Sequence, residues 1–201
     1  TFGWLLQRQG RFDEAIDHLR HALAYFAGHG FDSIRNQVHL NLVTTLARAG
    51  RSDEAHDAWR EYRAHHGDES GKPYEEALER LTEGELRLRT GQAAAAVEVL
   101  ERTATAFAEL ELTQERVEAQ LLLAEAQLST GQADLSVATL REIEDVARTL
   151  ADPAWSLKQR FLAALAEGRD ADADHLAADM AEAHLRSYER WFRLAAEAGR
   201  A

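Results

Sequence analysis

Five glycine turns divide this chain at nearly equal intervals: Gly10-Arg11, Gly50-Arg51, Gly91-Gln92, Gly131-Gln132 and Gly168-Arg169. The spacings are 40, 41, 40 and 37 residues, and no alternating apolar pattern marks a strand between them. A period of this length without strands defines an array of helical repeats, each of which buries its apolar face only against its neighbours. Ala, Leu, Glu and Arg dominate the composition, all strong helix formers, while β-branched residues are thinly spread. The two prolines, Pro73 and Pro153, fall where helices would begin, positions at which the missing N–H had no partner to lose. The expected fold class is all-α, built from about five antiparallel helix pairs. An array of that kind presents a long surface, which points to binding rather than chemistry.

Aligning the chain on its glycines exposes a register. Five positions after each stands a small residue: Ala15, Ala55, Ala96, Ser136 and Ala173. Four further on comes a large apolar one, Leu19, Trp59, Leu100 or Leu140, with Ala177 in the last copy. Seven positions before the glycine, Gly3, Gly84 and Ala124 are small, whereas Val43 and Phe161 depart from the rule. Small residues facing one another let two helices approach closely, and large ones fill the gap to the next pair. Each repeat therefore has a helix A before its glycine and a helix B after it. The B helices are expected to start near Phe12, Ser52, Ala93, Ala133 and Ala171. For the A helices, Asp32 or Ser33 and Thr113 are cap candidates, and Pro73 and Asp152-Pro153 mark further starts. From Asp170 to about Glu197 no residue type breaks a helix, so one long final helix is expected.

The segment Gly10-Arg11-Phe12-Asp13-Glu14-Ala15, and nearly as closely Gly50-Arg51-Ser52-Asp53-Glu54-Ala55, resembles the turn of the tetratricopeptide repeat. Asn41-Leu42 is similar to the Asn-Leu step of that family's helix A. Later copies such as Gly91-Gln92-Ala93-Ala94-Ala95-Ala96 are degenerate, yet the resemblance covers nearly the whole chain. It implies a right-handed superhelix over residues 1–169, with the first repeat truncated. Residues 170–201 would then supply the last B helix and a capping or linker helix. The period exceeds the family's minimal repeat of about 34 residues; longer repeats look like those of bacterial regulatory and signalling proteins. Because the first A helix is cut short at Thr1, the chain is expected to be a piece of a longer protein. Some family members hold a partner's C-terminal carboxylate with Lys and Asn at set positions. Asn41 stands here without that basic set, so the activity is not carried over.

The resemblance also implies that A helices line the concave face. Projection from the glycine turns places there Trp4, Gln7, Arg8, Gln37, Thr44, Arg48, Glu85, Arg89, Glu118, Glu125, Ser129, Trp155 and Lys158. Arg residues early and Glu residues late would suit an extended peptide of mixed charge. Packing of Trp4 and Trp155 between repeats, with the charges as ordinary surface, is the competing reading. Near the C-terminus Tyr188, Trp191, Leu194 and Ala195 recur at helical spacing, a candidate interface. Trp191 would pack against a second copy, giving a homodimer, or against a downstream domain; alternatively the helix folds back and buries Trp191 within its own chain.

Charge and composition exclude much else. A formal net charge of −12 with no long basic run argues against nucleic acid as partner. No apolar stretch is long enough to span a membrane, cysteine is absent, and no leader-like segment is visible, so a cytoplasmic location is expected. His18 and His21 lie three apart, near Asp13 and Asp17, but no third histidine joins them, and a solvent-facing pair explains them better than a metal site. His65-His66 sit near a helix end, where partial charge suits the dipole. Without a His-Glu-x-x-His helix, a phosphate loop or a dinucleotide fingerprint, neither metal nor cofactor is expected. The 35 acidic residues are dispersed, so no catalytic pair stands out and the chain does not read as an enzyme. The leading expectation is a protein- or peptide-binding scaffold. The alternative is a sensor of a peptide or small ligand that controls an attached output domain, such as a nucleotide cyclase or DNA-binding domain.

Overall fold

Glycine in the left-handed region stops one helix and aims the next. In a computed structural model, which describes residues 5–7, 9–27, 31–66 and 72–200, Gly10, Gly50, Gly91, Gly131 and Gly168 all have φ between 70° and 82°. At the first turn the Gly10 amide donates to the Gln7 carbonyl (3.0 Å) and the Arg11 amide to the Leu6 carbonyl (2.9 Å). The same pair of bonds closes the turns at Gly50, Gly131 and Gly168. This arrangement satisfies carbonyls that a helix end would leave open, and it requires a positive φ that glycine adopts without steric cost.

The described residues contain helices and turns and no strand, so the fold is all-α. The chain divides into two compact units, Thr1–Gly91 and Gln92–Ala201. The first holds a short helical segment at residues 5–7 and α1 (Phe12–Phe26), α2 (Asp32–Arg48), α3 (Ser52–His66) and α4 (Pro73–Arg89). Here α2 is central, packing against α1, α3 and α4. Its Leu42, Val43, Leu46 and Ala47 meet Ile16 and Leu19 of α1, Ala55 and Ala58 of α3 and Leu86 of α4 in one core.

The second unit holds α5 (Ala93–Glu109), α6 (Thr113–Ser129), α7 (Ala133–Thr149), α8 (Ala154–Ala166), α9 (Asp170–Glu182) and α10 (Arg186–Arg200). Consecutive helices pack on one another, and α6 also touches α8 and α10. Surrounded by α5, α7, α8 and α10, α6 is buried without a break from Ala119 to Leu128. A helix covered on every side carries little amphipathic contrast, and here Gln120, Glu125 and Gln127 are buried beside its apolar residues. The small residues Ala15, Ala55, Ala96, Ser136 and Ala173 are fully buried. Ser136 shows what the register achieves: its hydroxyl donates to the Ala124 carbonyl of α6 (2.9 Å), small residue against small residue.

Three sequence expectations are corrected. The long final helix is two helices, α9 and α10, parted by a turn in which His184 has φ 58°. The Leu185 amide reaches back to the Met180 carbonyl (2.7 Å) and its side chain is buried. That apolar contact offsets the roughly 1–2 kcal/mol cost of a left-handed conformation at a residue with a Cβ. Glu111, also at φ 58°, makes the same turn between α5 and α6. The cap positions differ too. Phe31 and Leu112, not Asp32 or Thr113, precede α2 and α6, and neither helix has a side-chain cap bond. At α8, by contrast, the Asp152 carboxylate accepts from the Ala154 amide (2.9 Å), and at α4 Pro73 is the first helical residue.

Glu111→Gly should therefore raise the stability of the chain. Relief of the left-handed strain exceeds the added freedom of the unfolded chain, for a net gain of about 0.5–1 kcal/mol. Chemical denaturation should show a higher midpoint with an unchanged slope.

Candidate functional site

In the first unit four of the A-helix residues picked from sequence, Gln7, Arg48, Glu85 and Arg89, are linked to one another. Gln7 donates through Nε2 to Thr45 Oγ1 (2.8 Å), and Arg48 Nη1 donates to Gln7 Oε1 (3.1 Å). Arg48 grips Glu85 with two parallel bonds, Nε to Oε1 at 2.7 Å and Nη2 to Oε2 at 2.8 Å. Arg89 Nε lies 3.6 Å from Glu85 Oε1, and the Glu85 and Arg89 side chains are 2% and 5% exposed. Arg48 ends α2, where a cation complements the helix dipole, and its fork matches a carboxylate projecting from α4. These charges tie α2 to α4 and are spent within the fold. Trp4 and Arg8 lie outside the described residues.

What stays accessible on α2 is a polar stripe. Gln37 and Asn41 are exposed and Thr44 is half-buried. Gln37 Nε2 stands 3.5 Å from Asn41 Oδ1, and the Thr44 hydroxyl donates back to the Asn41 carbonyl (3.1 Å). The three residues recur at helical spacing, so their amide and hydroxyl groups form one edge of donors and acceptors.

A second polar cluster sits between α2, α3 and α4. Tyr62 donates to Glu79 Oε1 (2.7 Å), Arg63 Nη1 donates to Glu79 Oε2 (3.2 Å), and Trp59 stacks on the Tyr62 ring. His39 meets Tyr62 edge to face, its ring centroid 5.6 Å away, and its buried Nε2 has no hydrogen-bond partner. Burial pushes the His39 imidazole below its usual range, against the opposing pull of Glu61 and of a bond with the Ala58 backbone; His65 and Arg35 push it down further. Burial and the bond to Glu79 hold the Tyr62 phenol well above its usual range. This cluster has the chemistry of a packed core with a neutral histidine, and it went unseen in sequence because its members lie on three helices.

In the second unit two of the predicted residues are buried and three are half-buried. Glu125 is 2% and Lys158 is 7% exposed, while Glu118, Ser129 and Trp155 are half-buried. Lys158 Nζ sits 4.5 Å from the Trp155 ring centroid and 3.8 Å from that of Tyr188. The covering element is α10, which folds back onto α6 and α8. Its buried stripe is Phe192, Ala195 and Ala196, flanked by half-buried Tyr188 and Trp191. Leu194 is 50% exposed, so it does not share a face with buried Ala195 as the spacing had suggested. Gly199, unremarked in the sequence, makes the closest contact: a Cβ there would stand 1.9 Å from the Leu128 carbonyl oxygen. The available signal was a glycine near the end of an Ala-rich helix, a residue that costs helix stability unless packing requires it.

A shallow concavity of about 430 Å³ opens between α7, α8 and α9. At its edge Glu167 accepts from Arg169 (2.7 Å) and Arg141 (3.2 Å), and the Arg169 bond holds its carboxyl below the usual range. His18 and His21 are exposed, and among the described residues no three His, Cys, Asp or Glu side chains converge as for a metal ion. No helix among those residues is long and apolar enough to cross a membrane. No protein-family model, curated protein or solved structure matches the chain.

The buried pair and the buried histidine each give a measurable consequence. Arg48→Met leaves Glu85 inside the fold with only part of its compensation, and should cost about 2–4 kcal/mol by chemical denaturation. For His39 the folded state favours the neutral ring, so its contribution is complete above the unfolded value near 6.5 and is lost as pH falls through the depressed folded value. The stability advantage of the parent over His39→Leu should therefore shrink between pH 7.5 and pH 5, read from denaturant midpoints at each pH.

Proposed function

We propose that this chain is a non-catalytic protein- or peptide-binding module built as a solenoid of tetratricopeptide type, within a larger bacterial signalling or regulatory protein that acts in the cytoplasm. The observation that carries this reading is the repeated turn. Left-handed glycines close Gly10, Gly50, Gly91, Gly131 and Gly168, and the buried small residue falls five positions after every one. Repetition of one unit serves to extend a surface, whereas a catalytic site needs unlike groups brought together at one point.

The surface favoured for the partner is the α2 stripe of Gln37, Asn41 and Thr44. Side-chain amides offer a donor and an acceptor each, the pattern that recognises the backbone of an extended peptide. Arg48, fixed by Glu85, holds the end of that stripe rigid, which limits the ordering cost of binding.

Selection of a displayed random-peptide library on the immobilised chain tests the reading. Enriched peptides should bind the parent chain and lose about tenfold or more in affinity, some 1.4 kcal/mol, on Gln37→Ala/Asn41→Ala. A library that yields no enriched sequence, or peptides indifferent to both substitutions, would overturn the assignment of this surface.

A further inference from the structure

The concavity between α7, α8 and α9 is lined by groups of unlike kind. Its apolar part is aliphatic: Val137 of α7, Ala163 of α8 and Leu176 of α9, one from each helix and each half-buried. Its carboxylates are unequally engaged. Arg169 holds both Glu167 and Asp172, and Arg141 also reaches Glu167 (3.2 Å). Glu144 is held least, with the exposed Arg148 at 3.8 Å. Arg160 of α8 is the cation left over. It lines the concavity and is exposed, and among the described residues its side chain has no ion pair and no hydrogen bond.

Neighbouring Gln159 is the opposite case, a lining residue only 4% exposed. Its Nε2 donates to the Leu140 carbonyl (3.1 Å), and no donor among the described residues reaches its Oε1. Amide oxygens of buried side chains are seldom left without a donor. Unlike His39 Nε2, this atom is not sealed from solvent, so it opens into the concavity that Gln159 lines. An unpaired guanidinium and an unpaired amide oxygen therefore stand on consecutive residues, beside an aliphatic patch and a weakly held carboxylate.

Each group selects a part of a ligand. The fork of Arg160 matches a carboxylate through two parallel charge-assisted bonds. Gln159 Oε1 accepts from an N–H, and Glu144 favours that nitrogen when it is charged. Val137, Ala163 and Leu176 shelter a short aliphatic side chain. A space of about 430 Å³ is of the size that small-molecule sites occupy. We propose that this concavity binds a free aliphatic amino acid, its carboxylate on Arg160, its ammonium on Gln159 and Glu144, and its side chain against the aliphatic patch. The site belongs to the second unit and shares no residue with the α2 stripe, so either reading can fail alone.

The test is a titration of the ¹⁵N-labelled full chain with L-leucine, followed by amide chemical shifts. Two analogues are titrated in parallel: leucinamide, which lacks the carboxylate, and 4-methylpentanoate, which lacks the ammonium. Leucine should give saturable shifts concentrated in residues 137–144, 159–163 and 172–176, and each analogue should bind about tenfold or more weakly. Arg160→Gln should weaken leucine binding about tenfold with the rest of the spectrum unchanged, since its side chain holds nothing in the fold. Arg102→Gln removes another exposed arginine, on α5, and should leave binding as it was. The proposal is overturned by shifts that do not saturate or lie on other helices, by an analogue that binds as well as leucine, or by equal effects of the two arginine substitutions.

Discussion

The helices that follow Gly10, Gly50, Gly91, Gly131 and Gly168 all start from the same event, a glycine held in the left-handed region just past the end of the helix before it. With φ near +75° the chain reverses within three residues, and at Gly10, Gly50, Gly131 and Gly168 two backbone bonds lock the reversal. The position of the next helix is then no longer free. Five residues on, its side chain points back at the helix just left, and only a small one fits; Ala15, Ala55, Ala96, Ser136 and Ala173 all sit there without exposure. Close approach in turn encloses the A helices α2 and α6 on several sides. Turn geometry thus decides burial before any large side chain is considered.

Enclosure has an electrostatic consequence. A helix surrounded by others still carries polar residues, and those must find partners inside. In the first unit Arg48 and Glu85 pair, and Tyr62 satisfies Glu79. In the second unit Gln127 accepts from Thr139, Gln120 donates to Glu142, and Gln159 donates to the Leu140 carbonyl. Each bond joins two helices and forms only in one register, since a shift by one residue would leave a buried group unmet. The same residues look like a ligand-binding row when projected from sequence, because position on helix A is what both roles share. Which role a given residue plays depends on what the neighbouring helix presents at that height.

That distinction marks how much of the molecule was legible beforehand. The glycine turns, the small-residue register, the all-α class and the starts of the B helices follow from local rules that act within a few residues. Glu111 and His184 make the same turn without glycine, and nothing local reveals them: the buried Leu185 that stabilises the second turn is recognisable only once α10 is seen to fold back. Arg48, Glu85 and Lys158 were found as residues of interest but not as internal partners, since their pairing spans 37 positions in one case and involves a helix not expected to exist separately in the other. The cluster of His39, Tyr62 and Glu79 escaped for the same reason.

The C-terminal helix shows which forces set its seat. α9 carries four aspartates and a glutamate, while α10 carries four arginines and two glutamates, so the pair attracts. Yet the two bonds that realise this attraction are open to water, and exposed pairs contribute roughly 0–1 kcal/mol and weaken with salt. Charge therefore brings α10 to the right edge without fixing where along α6 it stops. Apolar contact has more energy but little directionality, because Phe192 could slide by a turn and still meet aliphatic side chains. Gly199 supplies the stop. Its backbone lies so near the Leu128 carbonyl that no other residue type fits, and sliding by one position in either direction would bring Ala198 or Arg200 to that point. Register on this face is thus set by steric exclusion at one glycine, with Phe192 providing affinity and the arginines the approach.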